Sequence, residues 1–421
     1  MAARRTLAAA GAMVLVGGAL LLVAVALSVS PPGAGTTRPS ATPHRSTPGT
    51  RSVPADAAPR AVPARRFRLS ADYHRFDAVD DALAARLTTA SVDTVMRSAN
   101  HTRAGPGAHG PPGQVAGFGF DPGDSADCTN YPQGITSSRD AVGDADDGTY
   151  DGHQLLLVSW YTEDGCDGAT ARSRITLIDW DASWPNTYRK VLLVAPTGTS
   201  AAPDFTDIPI HAGGVSWYGD RLYVADTDHG LRVFDLRRIL ATEPGGDADQ
   251  IGRQPDGTYR AHRYAYVLPQ VGTVSAAGVP LVWSTISLDR SSASLVLTEY
   301  TCASGCSRYP NRPARAVRFP FAPGTTRFAA STTASQALRL PWYQLNGVAS
   351  HRGRWWFASS GTRSLYSWSP RAGPRRYGWV GGAESISYWA EPGPDPDLLW
   401  SLTEVPGRRT VFAVEPPGRG P

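Results

Sequence analysis

The chain has 421 residues, a formal net charge of +4 and 41% hydrophobic residues, enough for one large β domain with a sizeable core plus extensions. The charge is uneven: residues 1–66 carry eight arginines against the single acid Asp56, and removing that +7 leaves −3 for residues 67–421. A body of that balance excludes a nucleic-acid partner, which requires a clustered basic face.

Arg4 and Arg5 precede an uncharged stretch, Leu7–Val29, whose 23 residues are long enough to cross a bilayer and whose flanking arginines favour a cytoplasmic N-terminus. Residues 1–30 therefore read as a transmembrane anchor or, if cut between Ala24 and Gly35, as a signal peptide. Either reading exports the rest, giving a cell-membrane protein with an extracellular body or a secreted one. Residues 31–65 hold eight prolines with Ser, Thr, Gly and Ala and no aromatic residue, the composition of a disordered stalk. Within 66–113, the spacing of Phe76, Val79, Leu83 and Leu87 predicts one amphipathic helix over 76–96. A Gly/Pro-rich linker follows over 100–113, with His101 and His109 read as solvated loop residues.

From 114 to 421 the chain repeats one phrase: a polar or Gly step, a small residue, Ile or Val, another small residue, then an apolar hairpin. Its five starts are Gln133-Gly134-Ile135-Thr136, Gly213-Gly214-Val215-Ser216, Gly272-Thr273-Val274-Ser275, Asn346-Gly347-Val348-Ala349 and Glu384-Ser385-Ile386-Ser387. Such a repeat predicts an all-β, five-bladed β-propeller, each phrase being the innermost strand of a blade. Uneven spacing admits a sixth blade within 240–300. The last unit runs out of chain after three strands, so Gln114–Phe120 is expected to supply its outer strand and close the ring.

Export makes the four cysteines candidates for disulfides. Cys302 and Cys306 are close enough for a local bridge, which pairs Cys128 with Cys166, although three connectivities are formally possible.

The hairpin Arg221–Thr227 with Gly230–Leu236, and the start Asn346-Gly-Val-Ala-Ser, resemble blades of NHL-type and gluconolactonase-like propellers. That resemblance implies a divalent cation, Ca²⁺ for instance, at the channel mouth on Glu, Asn and Asp. Glu384 and Asn346 match two of these positions; no blade start offers the Asp, so the acid/base group of a lactonase would be missing.

Side chains two and four residues before each aliphatic of the phrase share one face. They form an axial ring: Tyr131, Gln133, His211, Gly213, Gln270, Gly272, Gln344, Asn346, Gly382 and Glu384, with one carboxylate. Tyr388 and Trp389 are candidates for an aromatic rim that stacks on sugars. No GxSxG or HExxH occurs. The sequence thus points to a monomeric binding or scaffolding propeller at the cell envelope, with a saccharide or protein ligand at Gln133, His211, Asn346, Glu384, Tyr388 and Trp389. The alternative is a metal-dependent lactonase-like or lyase-like enzyme using Glu384 and Asn346.

Overall fold

The computed structural model describes residues 51–52, 57–163, 170–182, 185–304, 307–391 and 395–418. These residues are predominantly β. Four antiparallel meanders follow one another, each with its own first strand. They are Asn130–Ser137 through Thr187–Gly198, Val215–Tyr218 through Tyr266–Ala276, Thr285–Asp289 through Gln336–Arg339, and Leu345–His351 through Gly373–Gly378. A fifth sheet contains Ala383–Trp389, Leu398–Thr403 and Thr410–Val414, and its fourth strand is Gln114–Gly119.

That last pairing joins the two ends of the β region. Val411 opposes Phe118 and Ala413 opposes Ala116, so the edge that Thr410–Val414 would otherwise expose is covered, as the sequence led one to expect. First strands of successive sheets pack side by side, and that of the fifth returns to that of the first. Parallel pairing of Leu192–Val194 with Val267–Pro269 additionally fuses the first two sheets.

The core lies between neighbouring sheets. Ile135, Trp160, Trp389 and Trp400 meet between the fifth and first, and Leu345, Val348, Trp355 and Phe357 between the third and fourth. An indole that loses about 200 Å² of accessible surface contributes on the order of 5 kcal/mol before entropic cost. These interfaces therefore hold the sheets in place.

Three expectations need correcting. Gly272–Ser275 is not a first strand: it lies in Tyr266–Ala276, the fourth strand of the second sheet, with Val233 opposite Gly272 and Leu231 opposite Val274. The glycine is there because another backbone runs alongside it. Arg68–Asp72 pairs with Thr273–Ala276, and a Cβ at position 272 would sit 2.6 Å from the Asp72 carbonyl. The true third start is Thr285-Ile286-Ser287, preceded by Ser284.

The helix expected over 76–96 is two helices, Asp77–Ala84 and Val92–Arg97. Between them Thr89–Ala90 pairs with Ile239–Leu240, and Ser91 restarts the helix by accepting a hydrogen bond from the Thr94 amide. Finally, segments expected as linkers belong to the body. Arg60–Ala61 pairs with Leu338–Arg339, and His101–Thr102 pairs with Thr187–Tyr188.

No helix among the described residues is long and apolar enough to cross a membrane, and Leu7–Val29 lies outside them. Cys128 and Cys302 are both disulfide-bonded; Cys166 and Cys306 lie outside the described residues.

Candidate functional site

Where the first strands converge, three of them break register. The ladder slips between Pro132 and Ile135, between Leu345 and Gly347, and between Glu384 and Ser387. A bulge re-aims side chains off the regular alternation. Gln133 and Asn346 lie inside two of these slips, and Glu384 immediately precedes the third. Left-handed backbone accompanies them: Ser385 follows Glu384 at φ +50°, Gln344 precedes Asn346 by two at φ +53°, and Ala212 follows His211 at φ +52°. For residues with a Cβ this conformation is disfavoured and is held here by packing around a common point. Gly134 lets two first strands approach, since a Cβ there would lie 2.6 Å from the Val215 amide nitrogen.

The common point is a cavity of about 210 Å³. Gln133, His211, Asn346 and Glu384 all line it, together with Ser284, Thr227 and three tyrosines, Tyr161, Tyr300 and Tyr309. Glu404 lines it as well, so the axis carries two carboxyl groups and not one.

Each carboxyl is held by an amide. Asn346 Nδ2 donates to both oxygens of Glu384 at 2.8 Å, and Gln133 Nε2 donates to Glu404 Oε2 at 2.6 Å. Glu384 is 5% exposed. Burial pushes its pKa far up, the neighbouring charge of Glu404 adds to this, and the Asn346 hydrogen bonds oppose it. Glu404 is likewise raised by burial, against the Gln133 hydrogen bond and the Arg409 charge. Two carboxyls that line one cavity, each with its pKa raised by burial, titrate as a pair.

His211 packs against Tyr161 with ring centroids 4.4 Å apart and the rings tilted by 36°. Burial, helped by the Arg308 charge, lowers its pKa to about 4, so the imidazole is neutral at physiological pH. Tyr300 and Tyr309 pack together at 4.8 Å, and burial raises the pKa of both phenols. The cavity therefore presents aromatic faces, amides, hydroxyls and a carboxyl pair whose pKa values burial raises, which is chemistry for exchanging hydrogen bonds with a polar ligand.

The cation site implied by family resemblance does not fit this geometry. Asn346 Oδ1 accepts from Ser360 Oγ at 2.6 Å and from the Ser360 backbone N–H at 3.4 Å. A backbone N–H only donates, so it fixes the amide with its nitrogen, not its oxygen, toward Glu384. A cation beside Glu384 would meet an N–H donor where a ligand oxygen is needed.

Tyr388 and Trp389 do not reach the cavity. They follow Glu384 by four and five residues, roughly 13 Å or more along a strand. Tyr388 instead donates to Asp397 and stacks on His351 at 4.4 Å, while Trp389 is buried beside Trp400. Gln270 is also elsewhere: buried in the second sheet, it accepts from Arg232 Nη1 at 2.9 Å.

Glu404 escapes a search confined to first strands because it ends the second strand of the fifth sheet. A signal was present. Second strands of the first, third and fifth sheets are each followed within one residue by a glutamate: Glu163, Glu299 and Glu404. Glu299 is taken up by Arg312 and Arg315, at 2.7 and 2.6 Å. Glu404 faces the axis.

No protein-family model matches the chain, and no curated protein matches it. Among solved structures, two glucose dehydrogenases superpose with TM-scores of 0.29 and 0.28 at 12% and 11% identity. Both matches span 62% of this chain, and they span 78% and 75% of the respective dehydrogenases. A protein of unknown function from Bacteroides thetaiotaomicron superposes with a TM-score of 0.31 at 12% identity, covering 75% of this chain and 74% of its own.

Proposed function

We propose that the chain is an exported five-bladed β-propeller, tethered through Leu7–Val29, whose axial mouth binds a small neutral ligand rich in hydroxyl groups, such as a saccharide unit of the cell envelope. The observation that carries this reading is the pairing of Glu384 with Asn346 and of Glu404 with Gln133 in one cavity. Carboxyl–amide pairs both donate and accept, and they match the donor–acceptor character of vicinal hydroxyls. Tyr161, Tyr300 and Tyr309 add apolar faces for a ring.

A neutral ligand follows from the electrostatics. Burial lowers the pKa of His211 and raises those of Glu384 and Glu404, so the cavity disfavours charge on each of them. The cavity is smaller than the roughly 300–1,000 Å³ of sites for drug-sized molecules, which limits the occupant to about one sugar ring. Five four-stranded antiparallel units with adjoining first strands support the propeller reading. The disulfide state of Cys128 and Cys302 supports export.

The same carboxyl pair favours a second reading, acid–base catalysis without a metal. A buried glutamic acid beside a second glutamate supplies a proton donor and an acceptor. Calorimetric titration with neutral sugars tests binding, and turnover of a bound sugar ester or lactone distinguishes the second reading from the first.

A further inference from the structure

Away from the axis, the chain's single lysine lies in a second cavity, of about 190 Å³, in a protein that otherwise uses arginine for its basic side chains. Lys190 lines it with Arg174, Arg189, Arg263, His101 and His262. We propose that this cavity is a binding site for a phosphate-class oxyanion.

Positive charge in this cavity is incompletely answered by carboxylates. Asp124 is the buried carboxylate of the site, and it already serves Lys190 and Tyr188, the latter at 2.7 Å. Asp121 is engaged by His101 at 2.6 Å, and Asp207 by His262 at 2.9 Å. Arg189 lies over the Tyr266 ring and Arg263 donates to the Gly246 carbonyl; neither has a carboxylate partner among the described residues.

Arg174 is the most deeply buried cation of this cavity. It is 5% exposed, and its Nη1 donates to Tyr264 Oη at 3.1 Å. Its Nε and Nη2 have no hydrogen-bond partner, with Nη2 4.0 Å from Asp124. Buried guanidinium N–H groups without acceptors cost free energy, and the fork of N–H groups matches phosphate oxygens. The turn that carries Arg263 is built to hold it, with His262 and Arg263 both left-handed at φ +48° and +66°.

A metal ion is the competing occupant, since His101, Asp121 and Asp124 offer ligand atoms within 4.8 Å of one another. Lys190 already occupies Asp124, and Arg174 flanks it. A cation would have to displace the ammonium and enter a positive field, whereas an anion enters with the field.

The test uses the extracellular body, residues 45–421, which forms a single compact unit. Orthophosphate and a hexose phosphate are titrated calorimetrically at constant ionic strength, against the protein and an Arg189→Gln/Arg263→Gln variant. These two side chains are not fully buried, so the variant is expected to keep the parent melting temperature. Saturable binding of either ligand that weakens by about tenfold or more in the variant supports the site. Equal affinity for both ligands identifies the free ion as sufficient, and tighter hexose phosphate identifies a sugar-borne group. The proposal is overturned by no saturable binding of either ligand, or by binding that the double variant leaves unchanged. As an independent check, Lys190 is the only side-chain amine, so bound phosphate should slow its acylation as read by mass spectrometry. Unchanged acylation at saturating phosphate would also overturn it.

Discussion

Asn346 places its Nδ2 2.8 Å from each carboxyl oxygen of Glu384, while its own oxygen is fixed by Ser360. One side chain thus links the fourth sheet to the fifth and orients the most deeply buried acid of the axis. Asn346→Ala leaves that acid without its donor. A loss of about 1–3 kcal/mol in urea-unfolding free energy is expected at pH 7. Ser360→Ala, which removes only the hydroxyl that orients the amide, should cost less. Equal losses in the two variants would show that the Asn346–Glu384 contact is not what stabilises the junction.

Asp80 gives a pH signature. It is 3% exposed in the helix Asp77–Ala84, and neither oxygen has a hydrogen-bond partner. Burial raises its pKa from 3.8 to about 7, against the Arg238 charge. Because the folded state holds this proton more tightly than the unfolded chain, stability contributed below pH 4 is lost as pH rises through 7. Asp80→Asn should therefore raise the melting temperature by several degrees at pH 8 and change it little at pH 4. A gain that is the same at both pH values would contradict the assignment.

His211 should titrate far below an ordinary histidine. Its ring resonances, followed by NMR between pH 3 and 8, are expected to report a midpoint near 4. A midpoint in the usual range near 6.5 would mean that the cavity admits enough water to solvate the imidazolium.

Closure of the sheet ring depends on Phe118, which is 2% exposed and packs edge-on against Phe120 at 5.9 Å. Phe118→Ala is predicted to cost about 3–5 kcal/mol, measured by urea unfolding. It should also raise amide exchange in Thr410–Val414, the strand it covers. Exchange increased elsewhere but not in that strand would contradict a closing role for Gln114–Gly119.

Much of the β organisation was legible because alternation and turn residues are local signals. The hairpin Arg221–Asp226 with Gly230–Asp235, and the closing strand itself, stand where those signals put them. What misled was any feature set by distant chain. Gly272 imitates a first strand because Asp72 approaches it, and Thr89–Ala90 interrupts a helical pattern because Ile239–Leu240 offers a partner. At the site, Gln133, His211, Asn346 and Glu384 were recoverable from their place in the repeat. Glu404 lies outside the first strands, directly after the second strand of the fifth sheet, and its signal is the glutamate that follows the second strands of three sheets. Tyr388 and Trp389 lie away from the cavity because adjacency in sequence to Glu384 becomes separation along an extended strand.

The central claim is that the axial cavity binds a small neutral hydroxylated ligand through its carboxyl–amide pairs. Isothermal titration of residues 45–421 with a panel of neutral monosaccharides and cell-wall sugars measures this directly. Saturable binding of at least one sugar is predicted, unchanged by EDTA and weakened about tenfold or more by Gln133→Ala and by Asn346→Ala. The account is contradicted if no sugar binds, or if binding survives both substitutions.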